Sequence, residues 1–410
     1  VSPAGARPLT RGQYLRLVFI LGFLHTLGTL TIDIYLPAFP AISRDFAATQ
    51  AAVQFTFTGA MVGMMVGQLC IGVWSDRVGR RLPLVLAAIV HVLASLMCAA
   101  SSTVEMLIAA RFLQGAASAA TVVVTIAIVR DLFHGRGMLR LLANLALIYG
   151  MAIVVGPFLG SQLLRVMDWR GVFVTLALYA CAVGLLAAFG LKESLPRAQR
   201  RKAGLGPLLV GYRTVFGDHR FVGLAIAGGL TWAGMYAYLS SSSFLFQEVI
   251  GLTGVQYGLA FASHAVFMLG GTQVASLLIR WWDASRILEA AMLVLVLAPA
   301  SLLAIEPLGW GLWGVLPSLW LFTLALGMAK PCVQSLAMSR VTGHAGIASS
   351  LLGGINTGLG AIATPIAGAI GIASVVPVGA TMLVFELSAA VVLWLVVRPG
   401  SLRAGAPALA

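Results

Sequence analysis

The chain has 410 residues, of which 60% are hydrophobic and only 10% charged, and it carries a formal net charge of +13; a soluble domain has roughly 25% charged residues. This composition excludes an ordinary water-soluble enzyme and points to a polytopic membrane protein. The excess of cations does not mark a nucleic-acid binder, because the cations fall almost entirely in alternate loops.

Apolar runs long enough to cross a bilayer as helices, about 17 to 25 residues each, recur twelve times. They lie near 14–37, 51–73, 82–101, 104–129, 139–165, 170–191, 221–246, 255–280, 284–305, 311–336, 344–373 and 377–397. The first is too long for a removable signal peptide and has no small-residue cleavage site. It closes on TIDIYLPAFP, positions 31–40, where Asp33 stands in an apolar run. A charge facing hydrocarbon there costs about 2.5 to 3.5 kcal/mol on insertion scales, so a compensating partner or a function is expected.

At a helical rise of ~1.5 Å per residue, Asp33 lies roughly 28 Å above Tyr14, and Arg111 in the fourth run lies roughly 10 Å below its outer end. The two share a level and are expected to meet. A nearby guanidinium favours a charged carboxyl and burial favours a neutral one, so the pair reads as a proton carrier. A fixed ion pair that orients two helices is the plainer alternative. His25 stands eight positions before Asp33, about 80° away around the helix, where it either packs or shares a cavity.

After the second run comes Gly72-Val-Trp-Ser-Asp76-Arg77-Val-Gly79-Arg80-Arg81, in which Asp76 and Arg80 meet across a turn if the segment is helical. The fifth run contains Gly150, Gly156, Pro157 and Gly160, and the eleventh repeats the pattern 208 positions later as Gly358, Thr364, Pro365 and Gly368. Such a repeat fits two bundles around a midplane site, and the glycines and proline suit a tight helix contact or a pivot. The apolar pattern breaks between Lys192 and Arg220, dividing an N-terminal bundle (1–191) from a C-terminal one (221–410) across a central loop (192–220).

In the second half, Trp232 and Tyr236 share a helical face, and with Tyr35 they offer aromatic surface for a lipophilic ligand. Lys330, beside Pro331, and Glu386 are charges within spans that line a cavity, pair or snorkel. Cys70, Cys98, Cys181 and Cys332 have no metal-ligand spacing. Arg7, Arg11, Arg77, Arg80, Arg81, Arg130, Arg136, Arg140, Lys192, Arg201, Lys202, Arg340 and Arg403 fall on one side, whereas the opposite loops carry only Arg44, Arg165 and Arg170. The positive-inside rule therefore puts both termini in the cytoplasm.

The loop after the second run resembles the signature G-x-x-x-D-R-x-G-R-[RK] of the major facilitator superfamily, with every fixed position met. Arg111-Phe-Leu-Gln114-Gly115 is similar to the R-x-x-Q-G pattern of its proton-coupled members, and Gly156-Pro157-x-x-Gly160 resembles the antiporter signature. With IDIYLPAFP, Asp168-Trp169-Arg170-x-x-Phe173 and KESLP, the chain most resembles the Bcr/CflA branch of drug:proton antiporters. The resemblance implies an all-α membrane fold of twelve transmembrane helices in two six-helix bundles. It implies export of a small lipophilic drug, phenicol-like, bicyclomycin-like or broader, across the bacterial inner membrane in exchange for protons. It also implies that Asp131 joins Asp76 and Arg80 in a conformational latch, and it adds Gln114 to the cavity. Besides drug, protons and the lipid bilayer no partner is called for: no cofactor, no metal and no nucleic acid, with a monomer expected. Ser161, Thr364 and the degenerate RWWDASR at 280–286 depart from the pattern.

No Walker loop, H-E-x-x-H or nucleophile constellation supports an enzyme. A uniporter or importer on the same fold, and a sensor that binds without transport, stay open, because fold does not fix direction or cargo.

Overall fold

A computed structural model describes residues 10–133, 135–197, 200, 206–341 and 345–400. Arg7, Arg201, Lys202 and Arg403 of the charge pattern lie outside the described residues. The chain is helical throughout the described residues, with twelve segments long and apolar enough to cross a membrane.

The first span begins at α1 (Arg11–Asp33), where Thr10 and Gln13 form a reciprocal capping box. It does not run through. Pro37 lacks the N–H that would bond back to the Asp33 carbonyl, and Pro40 repeats the interruption. The helix therefore stops at Asp33, passes through a 3₁₀ turn at Leu36–Ala38, and resumes as the short α2 (Phe39–Asp45). The remaining N-terminal helices are α3 (Gln50–Val78), α4 (Arg81–Ala99), α5 (Val104–Leu132), α6 (Gly135–Leu163) and α7 (Trp169–Gly190).

The central loop is not irregular along its whole length: α8 (Gly206–Gly217) lies within it. At 12 residues this helix is too short to cross a bilayer, so its apolar run does not stand out as a span. The second set follows as α9 (His219–Phe244), α10 (Gly254–Leu278), α11 (Ala284–Leu308), α12 (Gly311–Ser339), α13 (Ala345–Ile370) and α14 (Val375–Val391). Both α9 and α14 end in π-helical turns, Leu245–Val249 and Val392–Val397.

Each set packs into a six-helix bundle that includes a pair of helices in backbone-to-backbone contact. Between α3 and α5, a Cβ on Gly63 would stand 2.0 Å from the Phe112 carbonyl oxygen, and one on Gly115 would stand 1.9 Å from that of Ala60. Between α10 and α12, Gly271 and Gly327 meet the Leu324 and Met268 carbonyls at 1.9 and 2.0 Å in the same sense. Gly63 and Gly271 are again 208 positions apart, and Gly115 and Gly327 are 212 apart, so the repeat extends to these pairs with four residues inserted between their members. Small residues permit this approach where lipid offers no hydrophobic drive for helix association.

The bundles meet along two related seams, α3 against α13 and α6 against α10. At the end away from the arginine loops the seam is polar and closed. The Gln247 amide, on the π-helical turn after α9, donates to the Pro37 carbonyl at 3.1 Å, the Gln50 amide donates to Glu248 at 3.4 Å, and the Ile372 N–H donates to Gln50 Oε1 at 3.0 Å. Further in, the Thr58 and Thr364 hydroxyls share a 2.5 Å hydrogen bond and Ser240 donates to Gln54 at 3.5 Å. Thr364, which breaks the glycine pattern of the repeat, thus has its own use in crossing the seam. Large apolar side chains such as Leu147, Leu178, Phe189, Leu297 and Leu395 cover the outside of the bundles, as contact with lipid requires.

Candidate functional site between the bundles

Asp33 ends α1 at the break made by Pro37. Its residue is 6% exposed, and its carboxyl makes no hydrogen bond or ion pair among the described residues. Its Cβ faces α6, where a Cβ on Gly156 would come within 3.2 Å of it. Tyr149 of α6, and Tyr236 and Tyr257 from the opposite bundle, lie within its electrostatic reach. The acid is therefore buried on the wall between the bundles.

Arg111 does not meet it, which corrects the expected pairing. The guanidinium is fully buried on the other side of α1, donating to the Thr31 carbonyl at 2.9 Å and to Gln114 Oε1, with its plane 3.9 Å from the Tyr35 ring centroid. Gln114 passes the network on by donating to Ser95 at 2.7 Å; Ser95 touches His91 Nδ1, and His91 Nε2 lies 2.8 Å from the Thr31 hydroxyl. Neutral dipoles and an aromatic face thus surround this cation and tie α1, α4 and α5 together. Tyr35 and Gln114 are spent on it; both are fully buried, and neither lines the cavity expected of them. Rise per residue placed Asp33 and Arg111 at one depth but gave no direction around the helix.

A cavity of about 220 Å³ lies within the C-terminal bundle, toward its arginine-loop end. Trp232, Thr231, Lys330, Gln334 and Asn356 line it with apolar residues of α11, α12 and α13. The Lys330 ammonium stands 5.1 Å from the Trp232 ring centroid and 6.0 Å from that of Tyr149, across the seam. Tyr149 also packs against His25 at 5.3 Å between centroids, and His25 Nδ1 has no hydrogen-bond partner. Tyr236 stacks obliquely on Trp232 at 5.6 Å and closes on Gly360. Glu386 is not on the cavity wall: it is fully buried, and its Oε1 fills the space where Gly234 of α9 lacks a side chain.

At the arginine end, Gly79 terminates α3 with φ +104°, a conformation that suits glycine, and a Cβ there would stand 2.5 Å from the Glu193 carboxylate. The turn brings Arg80 to Asp76 at 2.6 Å and to Asp131 at 2.8 Å, with Ser75 Oγ accepting at 2.9 Å and Ser194 donating to Asp131 at 3.0 Å. Glu193 accepts from the backbone N–H groups of Arg80 and Arg81 at 2.8 and 3.3 Å, capping α4 from a distant segment. Burial acts to raise its carboxyl, but the N–H groups of Arg80, Leu195 and Arg81 and the Arg200 guanidinium outweigh burial and hold it below its ordinary value. The exposed Arg77 makes no ion pair among the described residues, and the Gly72 carbonyl accepts from Ser75 Oγ at 3.0 Å. All the named partners of this cluster belong to the N-terminal bundle or the segment just after it.

The family model of the Major Facilitator Superfamily matches residues 18–365. The chain belongs to that superfamily. Among its members, the Bacillus subtilis strain 168 protein named Uncharacterized MFS-type transporter YdgK is 33% identical over 377 residues, 92% of this chain and 94% of that one. A bicyclomycin resistance protein homolog of Haemophilus influenzae is 27% identical over 354 residues, 84% of this chain and 87% of its own. A solved bacterial homolog of the human lysosomal transporter Spinster, inward-facing and unoccupied, superposes with a TM-score of 0.76 at 16% identity, covering 98% of this chain and 100% of that one. The protein is accordingly a major facilitator transporter of two six-helix bundles and not an enzyme.

On that fold, the expected pivot residues sit where helices touch. A Cβ on Gly160 would stand 1.9 Å from the Ile34 carbonyl oxygen, so α6 rests directly on the break in the first span, and Gly150 faces Leu269 of α10 across the seam. Pro157 lies within α6 between these contacts. Sequence reasoning missed Glu193, Gln247, Tyr149 and the His91 network. KESLP marked Glu193 only as part of a signature, and no local pattern marks a partner that the fold brings from over a hundred residues away.

Proposed function

We propose that this transporter is a proton-coupled antiporter that exports small lipophilic compounds, phenicol-like or bicyclomycin-like antibiotics or a wider set of drugs, across the bacterial inner membrane. Its N-terminal bundle (1–191) and C-terminal bundle (221–410) rock about the cavity, linked by 192–220, with both termini in the cytoplasm. The structure is then inward-facing, since the seam is closed opposite the arginine loops and the cavity lies on their side. The names of relatives such as the bicyclomycin resistance protein homolog support the drug reading.

The observation that carries the proposal is Asp33: a buried acid with no ion-pair partner, at the foot of the broken segment that seals the opposite end. An acid so placed in a membrane span is costly when charged and is relieved by taking up a proton. A proton on Asp33 removes the charge from the wall between the bundles, and its release restores it. Because the 3₁₀ turn and α2 follow within a few residues and contact Gln247 through Pro37, this change acts directly on the seal. Arg111 then serves to hold the N-terminal bundle in shape, and the cluster of Asp76, Arg80 and Asp131 holds the loop side of that bundle as the rigid part of the latch.

The test is drug susceptibility of a pump-deficient bacterial host expressing the wild type beside Asp33→Asn. The wild type raises resistance, whereas the variant reaches the membrane in equal amount and confers none. Undiminished resistance with Asp33→Asn would leave a uniporter or a different proton site as the better reading.

A further inference from the structure

We infer that the cavity of the C-terminal bundle is an anion site built on Lys330, and that the cargo is a lipophilic organic acid, an apolar body bearing a carboxylate, phenolate or sulfonate. This rests on the transport reading above but gives the cargo an acidic head, which sets it apart from neutral phenicol-like and bicyclomycin-like compounds. Among the described residues lining the cavity, Lys330 is the one that bears a charge. No carboxylate of the described residues lies within 4 Å of its ammonium, their ion pairs all lying elsewhere in the molecule. The acids nearest in role do not serve it: Glu386 is shut between α9 and α14, and Asp33 stays on the opposite wall without an ion pair.

What Lys330 does touch is the faces of Trp232 and Tyr149. Aromatic faces attract an ammonium but do not neutralise it, and the Lys330 side chain is exposed where it lines the cavity, open to whatever enters there. The charge is therefore one that a ligand completes. Asn356 adds a second polar group whose Oδ1 has no partner; with its amide turned, it presents N–H donors to the same anion. Leu288, Met292 and Val333 supply an apolar wall for the rest of the molecule. One cation, the neutral polar groups of Thr231, Gln334, Ser349 and Asn356, and an apolar wall form a pocket that fixes an acid by its head and accepts its body without much discrimination.

The experiment uses the full-length wild type in lipid nanodiscs at neutral pH, with no proton gradient, and three radiolabelled probes on one ring system: 2-naphthoate, 2-naphthamide and 2-naphthylmethylammonium. Equilibrium binding is expected to favour naphthoate at least tenfold over both others. Lys330→Gln is expected to abolish the preference while keeping the melting temperature and the size-exclusion profile, and Lys330→Arg to retain most of it. Equal or tighter binding of the amide or the ammonium by the wild type, no binding of any probe, or a preference that survives Lys330→Gln would overturn the inference. The wild-type comparison decides the matter even if a variant fails to fold. Because no gradient is applied, failure of proton-driven export would leave a naphthoate preference standing, and absence of that preference would leave proton coupling standing.

Discussion

Asp33 and Arg111 illustrate how differently two buried charges are accommodated on either side of one helix. Arg111 is held by the protein through Nη1, which donates to the Thr31 carbonyl and Gln114, and through the Tyr35 face, while its Nε and Nη2 have no hydrogen-bond partner among the described residues; Asp33 is left alone on the wall between the bundles. Arg111 reaches both Thr31 and Gln114 from the single nitrogen Nη1, so what a lysine at position 111 lacks is the planar group that lies on the Tyr35 ring. Arg111→Lys is therefore expected to lower the melting temperature in detergent, and a variant as stable as wild type would show that the network holds little. In the loop cluster, Asp131→Asn removes a charge-assisted contact from a mostly buried Arg80 and is expected to destabilise by about 2 kcal/mol, with Asp76 left as the remaining partner. The same change is expected to alter the inward/outward population read by cysteine accessibility if the cluster serves as a latch, and an unchanged population would reduce it to a structural tie. Glu193 has a pH signature. Its folded carboxyl is held below its ordinary value, so its contribution is present at neutral pH and is lost as the pH falls through the folded value. The melting temperature of Glu193→Gln is expected to lie below that of wild type at neutral pH and to converge with it only once the pH falls below the folded value, which lies beneath the ordinary carboxylate range.

At the scale of elements, the interruption of the first span does most to shape the site. Pro37 and Pro40 stop α1 at Asp33, and the freed segment becomes the surface that Gln247 grips on the far side of the seam. Discontinuous helices of this kind are where transporters place their midplane sites. The glycine contacts give the bundles their rigidity. Replacing Gly63 by leucine must push α3 and α5 apart, because even a methyl group would meet the Phe112 carbonyl at 2.0 Å. Little folded protein is expected in a fluorescence size-exclusion profile, and Gly271→Leu is expected to do the same to α10 and α12. Gly346, whose added Cβ would meet nothing within 4 Å, is the control that should tolerate alanine.

At the scale of the whole molecule, the number of spans, the two bundles and the charge asymmetry were legible because hydrophobic length and loop cations are local quantities. The repeat was legible at α6 and α13 from glycine and proline, yet its extension to Gly63 and Gly271 needed the packing to give those glycines meaning. The helix α8 was lost to its shortness. The site was half legible: a buried aspartate, an arginine and a lysine stand out in apolar runs, but which of them face one another depends on helix rotation, which the rise per residue does not supply. Gln114 was misassigned for a related reason, since a polar side chain in a span serves a neighbour as readily as a cavity. The central claim, that Asp33 exchanges a proton to drive rocking of the bundles, is tested most directly by flux in proteoliposomes carrying wild type or Asp33→Asn, with and without an imposed pH gradient and with drug on the loop side. The account predicts that the gradient drives uphill drug movement and counterflow of protons only in the wild type. Equal gradient-driven uptake by the Asp33→Asn variant would contradict it.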